Sequence, residues 1–209
     1  MNERRALVAL VVVAGAATLP ADVEAQAFFV DVAASQAFGT DPLPSPTGFS
    51  VALGRTDIVG PLGLHAGYRT LHEGGARNIP QVCGFADCTP GPFDQSFATR
   101  MTYVGVSYDF PNATDVYLNL GLNVGTNDQI ETLVHLDTGS EIEDRVSAET
   151  SLGGSIDLRL RPLLGPLRPA FNGRYDRIFG GSCAADASCF PDRSVWSVAV
   201  GLSWVAGVR

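Results

Sequence analysis

The chain contains no lysine, so all 14 of its basic residues are arginines, and 22 aspartates and glutamates bring the formal net charge to −8. This acidic balance argues against nucleic acid as a partner. After Leu19 there is no apolar run long enough for a transmembrane helix. If the protein resides in a membrane, it must cross it as a closed β-barrel, the other structure that satisfies every backbone polar group in lipid.

The first residues have the features of a secretory signal. Arg4 and Arg5 form a basic start, Ala6 to Leu19 form an apolar stretch, and Ala25-Gln26-Ala27 is a small-x-small cleavage site. The alternative, a membrane anchor, would need a longer run to span as a helix. We therefore predict a cleaved signal at residues 1–27 and one mature domain at 28–209.

The stretch from Arg145 to Arg161 alternates between apolar and polar residues with a period of two. That period is typical of a strand with one apolar and one polar face. The stretch is long enough for a bilayer-spanning strand, which needs roughly 9–11 residues. Seven further segments alternate in the same way: Phe28–Phe38, Thr47–Arg55, Leu62–His72, Ser96–Phe110, Asp115–Thr126, Leu167–Phe179 and Ser194–Ala206.

The connections between these eight segments alternate in length. The links IVGP, PNAT and PLLGP are short and turn-like, whereas the other four are longer and polar. An up-and-down barrel of an outer membrane has short periplasmic turns and longer outer loops. The sequence therefore predicts an all-β fold, an eight-stranded antiparallel up-and-down transmembrane β-barrel.

Alternation alone does not say which face points inward, because a secreted lipocalin-like barrel hides its apolar face and an outer-membrane barrel exposes it. The polar face carries many small residues, among them Gly67, Gly121 and Ser155, where a solvent-facing side would carry long Lys and Glu side chains. A narrow eight-stranded interior has room for small residues and a few large polar ones. We therefore expect the apolar face to contact outer-membrane lipids, with Tyr68, Tyr108, Trp196 and Trp204 in the aromatic girdles.

The polar face also carries charges of both signs, which would form a polar network in the lumen: His65, Arg69, Asp109, Glu149, Asp157, Arg159, Arg174 and Asp176. An unpaired buried charge is costly, so these groups should pair unless water fills the lumen. A turn near Leu164 would put Asp157 opposite Asn172 and diagonal to Arg174. The expected ion pair is therefore Asp157–Arg174.

These features together resemble the small bacterial outer-membrane β-barrels, such as the transmembrane domain of OmpA and OmpX. The resemblance covers essentially the whole predicted mature chain and is architectural. It implies residence in the outer membrane, reached through the periplasm, and a terminal strand read by the outer-membrane assembly machinery. Gly201 and Trp204 fit a glycine-x-x-aromatic signal, but the chain departs from the pattern by continuing to Arg209.

Four cysteines in an exported chain suggest disulfides. Cys83 and Cys88 lie in one predicted outer loop, and Cys183 and Cys189 in another, so two local bridges are the simplest pairing. Cross-loop pairing and a zinc site remain alternatives.

None of the three histidines is followed by serine at the second position, so the His-x-Ser pair of the lipid A deacylases, which are barrels of similar size, is missing. No Gly-x-Ser-x-Gly, P-loop or dinucleotide motif occurs either. We expect no enzyme, no cofactor and no metal, but a structural or surface-interaction protein. The alternatives are a narrow pore, an OmpW-like conduit for small molecules, and a lipocalin-like binding module.

Overall fold

The computed structural model describes residues 27–38, 46–83, 88–110, 116–179 and 193–206. These residues form nine antiparallel strands: β1 (Phe28–Phe38), β2 (Thr47–Val59), β3 (Leu62–Gly74), β4 (Ile79–Cys83), β5 (Cys88–Asp109), β6 (Tyr117–His135), β7 (Glu141–Arg159), β8 (Leu167–Phe179) and β9 (Arg193–Ala206). Within the described ranges, no helix is long and apolar enough to cross a membrane. The predicted signal, residues 1–27, lies outside the described residues except for Ala27.

Eight of the nine strands close into a ring. Within the ring, consecutive strands pair with each other, β3 pairs with β5 instead of β4, and β1 pairs with β9, which closes the barrel. β4 lies outside the ring and pairs only with β5 among the described strands. The predicted eight-stranded antiparallel barrel is therefore confirmed.

The strand bounds agree with the predicted ones where the strands face lipid, and several strands extend beyond the predicted bounds elsewhere. β1 and β8 have the predicted bounds, but β5 begins at Cys88, β6 continues to His135 and β7 begins at Glu141. Above the membrane neither face contacts lipid, so the apolar–polar alternation that marks a spanning strand lapses there. For the same reason the five-residue β4 gave no signal.

The short turns lie at one end of the barrel. Gly60 follows β2 with a φ of 59°, and Gly165 precedes β8 with a φ of 54°, a left-handed conformation that glycine adopts without strain. Residues 111–115 of the third short link lie outside the described residues. By the usual sorting of barrel loops, this end is periplasmic.

The two faces of the barrel wall are inverted relative to a soluble protein. Apolar side chains point outward, with Leu122 68%, Leu152 55% and Ile156 54% exposed. Charged side chains point inward, with Arg69 2% and Asp176 0% exposed. The alternative of a lipocalin-like soluble barrel, whose interior is apolar, is therefore wrong.

Candidate functional site: a filled lumen below an extracellular sheet

An apolar cluster forms the periplasmic floor of the lumen. Ala27, Phe29 and Val205 pack together and are at most 6% exposed. The guanidinium of Arg159 lies over the Phe29 ring, 3.7 Å from its centroid. The floor thus separates the charged layer above it from the periplasm and also contacts it by a cation–π interaction.

Arg159 is the centre of the lowest charged layer. Its Nη2 donates to Asp31 Oδ2 at 2.6 Å and its Nε to Asp31 Oδ1 at 3.2 Å, so the ion pair is bidentate. Nη1 donates to Asn119 Oδ1 at 2.9 Å. Asn119 also donates to Asp109, which in addition accepts from the backbone N–H of Asp57 at 3.1 Å. Two carboxylates and one arginine are thus joined in a single network.

In the middle layer an asparagine separates a cation from an anion. Arg69 donates to Asn172 Oδ1 at 3.1 Å, and Asn172 Nδ2 donates to Asp157 Oδ1 at 2.6 Å. Arg69 also donates to Ser197. The amide of Asn172 therefore links two opposite charges, the buried Arg69 and the half-buried Asp157.

The expected ion pair between Asp157 and Arg174 is wrong, although the register behind it is right. Asp157 lies opposite Asn172, as predicted. Arg174 instead binds Asp176, two residues further along its own strand, through bonds of 2.6 and 2.7 Å. The guanidinium lies 3.7 Å from the centroid of the Tyr103 ring, and this stacking directs it to that carboxylate.

Above Arg174 and Asp176, Met101, Tyr103 and Ile178 form a second buried apolar cluster, next to the buried polar Asn127 of β6. His65 lies below Tyr103, where its ring pairs with Asn123. Glu149, 4% exposed, accepts from Asn127 Nδ2 at 2.9 Å nearer the extracellular end. All eight residues of the predicted lumen network thus face inward, and their partners are mainly amides and hydroxyls rather than each other.

Glycines on neighbouring strands make room for the large inward side chains. A Cβ at Gly67 would collide with the Tyr103 ring, one at Gly153 with the carboxylate of Asp176, and one at Gly105 with the His65 ring. The small residues on the polar face are therefore the counterparts of the large ones, and both are needed to fill the interior.

Sequence reasoning missed an asparagine series that organises this network. On β6, Asn119, Asn123 and Asn127 alternate with Gly121 and Gly125 on the inward face. Each asparagine contacts a different layer of the lumen. The N-x-G-x-N-x-G-x-N pattern was visible in the sequence. Asp31 was also missed, although it is the one charged residue of β1.

The two cavities described beside this network are small. Two cavities of about 10 and 30 Å³ adjoin Asp157, Arg159 and Asn172. A cavity needs about 10–15 Å³ to hold one water, so these have room for about one and two waters. Neither could hold a small-molecule solute.

Aromatic side chains border the apolar band at both ends. Trp196 contacts Tyr175 at the extracellular end, and Phe38 lies opposite it on β1. Trp204 contacts Phe28 at the periplasmic end. Of the other two expected girdle residues, Tyr68 contacts Phe49, and Tyr108, 43% exposed, contacts Phe110.

At the extracellular end, four strand segments continue as a sheet, which we call the extracellular sheet: β4, residues 88–100 of β5, 128–135 of β6 and 141–148 of β7. Residues 96–100 of β5 also pair with the end of β3, which joins the sheet to the barrel. It has a small core of its own, since Phe93 is 1% and Leu133 9% exposed. Phe93 also stacks edge-on against His135 at 4.8 Å. Gln95 Nε2 donates to Glu131 Oε1 at 2.5 Å on the face that continues the lumen wall.

The predicted disulfide between Cys83 and Cys88 is present and joins β4 to β5. Cys183 and Cys189 lie outside the described residues. In the ranges that the structure describes, no group of three or more His, Cys, Asp or Glu side chains could hold a metal ion.

No protein-family model and no curated protein sequence matches the chain. Solved structures do match. A major outer membrane protein from Thermus thermophilus has a TM-score of 0.59 at 15% identity, over 87% of this chain and 100% of that one. OprG from Pseudomonas aeruginosa has a TM-score of 0.52 at 11% identity, over 87% and 96%.

Ail of Yersinia pestis, solved in complex with the heparin analogue sucrose octasulfate, has a TM-score of 0.50 at 14% identity, over 88% of this chain and 99% of that one. At these identities the likeness concerns the fold. The closed ring, the apolar outer band and these neighbours agree with the predicted location in a bacterial outer membrane. The chain thus has the fold of the small bacterial outer-membrane β-barrels.

Proposed function

We propose that this protein is a sealed membrane anchor that holds a rigid interaction surface, the extracellular sheet, above the outer membrane. The observation that carries the proposal is the contrast between the two parts of the molecule. The lumen is filled by bonded side chains, whereas the strands β5, β6 and β7 continue well beyond it as a paired sheet.

The filled lumen supports an anchoring role rather than transport. Arg159, Asp31, Arg174 and Asp176 are held in buried ion pairs, and apolar clusters close the lumen below and above them. The cavities beside Asp157 have room for only one or two waters. These observations disfavour the narrow pore and the conduit for small molecules.

The extracellular sheet is built to keep its shape. It has a buried core around Phe93 and a disulfide from Cys83 to Cys88. Hydrogen bonds also hold the link of residues 75–78 in place. The backbone N–H of Ala76 donates to the side chain of Gln95, and that of Asn78 donates to the side chain of Asp94, each at 3.1 Å. A pre-ordered surface loses little conformational entropy when it binds a partner.

The charge of the sheet restricts the kind of partner. Among the residues of the sheet whose side chains the structure describes, carboxylates outnumber arginines: Asp94, Asp128, Glu131, Glu141 and Glu143 stand against Arg100. A sulfated polyanion such as the one in the Ail complex does not fit this surface, and a protein with a basic patch does.

We also propose that the protein is not an enzyme and that the outer-membrane assembly machinery inserts it into the membrane. The ring of His65 pairs with Asn123 and not with a serine or a carboxylate, which fits a lumen hydrogen-bonding role. Assembly by that machinery is supported by strand β9, on which Gly201 and Trp204 fit the glycine-x-x-aromatic signal.

The experiment is to replace residues 129–147 by a short turn, which removes the β6–β7 arm of the sheet but leaves the Asn127–Glu149 pair. Both chains should form heat-modifiable barrels in outer-membrane fractions. Cells with the full chain should adhere better to surfaces coated with a basic protein than cells with the shortened chain. Equal adhesion would overturn the proposed role, and heparin-coated surfaces serve as the polyanion control.

A further inference from the structure

Ala27, the residue before β1, is part of the periplasmic floor in both its side chain and its backbone. Its methyl group is 2% exposed and packs against Phe29 and Val205. Its carbonyl oxygen accepts a hydrogen bond of 2.9 Å from the backbone N–H of Thr56, which is itself 5% exposed. Its own N–H donates to Thr56 Oγ1 at 3.3 Å. These bonds continue the pairing of β1 with β2 by one residue.

A residue that a peptidase removes makes no contacts in the mature protein. If the signal ended at Ala27, the mature chain would start at Phe28, and the buried N–H of Thr56 would lose its acceptor. A buried donor without a partner costs free energy, so such losses are rare in native proteins. The new α-ammonium group would also stand on Phe28, whose ring contacts Trp204 at the lower edge of the lipid-facing band. A charge placed beside apolar groups is costly as well.

The sequence contains a second cleavage site two residues earlier. Val23-Glu24-Ala25 is an A-x-A-like stretch, with valine in place of the first alanine. Cleavage there leaves Gln26 in front of Ala27, so Ala27 keeps an amide N–H for its bond to Thr56. The charge of the new N-terminus then stands on Gln26, one residue before the floor. Of the two sites, only this one preserves the contacts of Ala27.

We propose that signal peptidase cuts between Ala25 and Gln26 and that the mature barrel begins at Gln26. Water adds across that peptide bond, which leaves the carboxylate on Ala25 and the ammonium on Gln26. The mature domain is then 26–209, two residues longer than the domain that the Ala25-Gln26-Ala27 pattern predicts. The retained Ala27 completes the floor below the charged layer of the lumen.

The test is the N-terminus of the processed protein. The full chain with its signal is expressed in a Gram-negative host, purified from the outer-membrane fraction and digested, and the N-terminal peptide is identified by mass spectrometry. We expect a peptide that begins Gln26-Ala27-Phe28. It should carry either the free amine or, after attack of that amine on the Gln26 side-chain amide, the pyroglutamyl group that has lost one ammonia. A peptide that begins at Phe28, or at any other residue, would overturn the assignment.

Two substitutions separate the two cleavage sites. Val23→Glu removes the pattern before Gln26 but keeps Ala25-Gln26-Ala27, and it should abolish the Gln26 N-terminus. Ala27→Leu removes the second pattern but keeps Val23-Glu24-Ala25, and it should leave cleavage unchanged. The signal is removed before the barrel folds, so Ala27→Leu reports on cleavage in whole cells even if its floor packs badly. Loss of the Gln26 N-terminus in Ala27→Leu but not in Val23→Glu would overturn the proposal.

A second measurement tests the role of Ala27 itself. Chains that begin at Gln26 and at Phe28 are released from a cleavable fusion without extra residues and refolded in lipid vesicles. The chain that begins at Phe28 should unfold at a lower urea concentration, because it lacks the acceptor for Thr56 and the floor residue Ala27. Equal urea midpoints would show that the floor does not need Ala27, and the structural reason for the proposal would be lost.

Discussion

The buried pair of Arg159 and Asp31 tests whether the lumen is a packed interior or a water-filled one. Their side chains are 4% and 15% exposed, and they share two hydrogen bonds. Removing one member of a buried pair leaves the other charge uncompensated and costs about 3–5 kcal/mol. We therefore expect Arg159→Gln and Asp31→Asn each to lower the free energy of unfolding by about that amount.

The double variant should lower the free energy of unfolding by about as much as either single variant, because the charges of Arg159 and Asp31 are then both removed. The coupling energy of the double-mutant cycle should therefore be about 3 kcal/mol or more. The exposed pair Arg100–Glu143 of the extracellular sheet, at 3.6 Å with side chains 44% and 51% exposed, is the matched control within the same chain. Its coupling energy should stay below about 1 kcal/mol.

Urea unfolding in lipid vesicles, followed by the heat-modifiable shift on gels, gives the required free energies. A coupling energy for Arg159 and Asp31 as low as that of the exposed pair would mean that water solvates both charges. The filled-lumen account would then be refuted.

Three further predictions concern the wall, the hairpin and the girdles. Gly67→Leu should lower the free energy of unfolding by about 1–3 kcal/mol or more, because the new side chain overpacks against Tyr103. Gly173 faces open space outside the barrel, so Gly173→Leu should unfold in urea like the parent protein. Equal losses of stability in the two variants would contradict this. Cys83→Ser should speed proteolysis of the β4–β5 hairpin without changing heat-modifiable migration, and an unchanged cleavage rate would show that the disulfide does not restrain it. Trp196 and Trp204 fluorescence should be quenched more by lipids brominated near the headgroup than at the chain end, and the opposite order would contradict the girdle positions.

The sequence predicted the barrel because lipid imposes a strict rule on it. The outward positions of a spanning strand are predominantly apolar, so Leu152 and Ile156 on one parity determine the faces of β7, and the faces of its neighbours follow from pairing. The same rule explains why the strand extensions and β4 were missed, because above the membrane it no longer applies.

The partners within the lumen could not be predicted in the same way. Asp157 and Asp176 both lie on the face of Arg174, one diagonal to it and one two residues along its strand. The choice between them depends on Tyr103, which comes from β5 and stacks on the guanidinium. The partner of a lumen side chain thus depends on side chains from strands that are distant in the sequence. A period-two pattern contains no information about these contacts.

Conductance across a planar lipid bilayer measures whether the barrel is closed. The full chain, reconstituted from folded, heat-modifiable protein, should give no sustained single-channel current in concentrated KCl. Arg174→Ala, which removes the guanidinium between Tyr103 and Asp176, should raise the frequency of openings above that of the parent. A stable open channel in the parent protein would contradict the account.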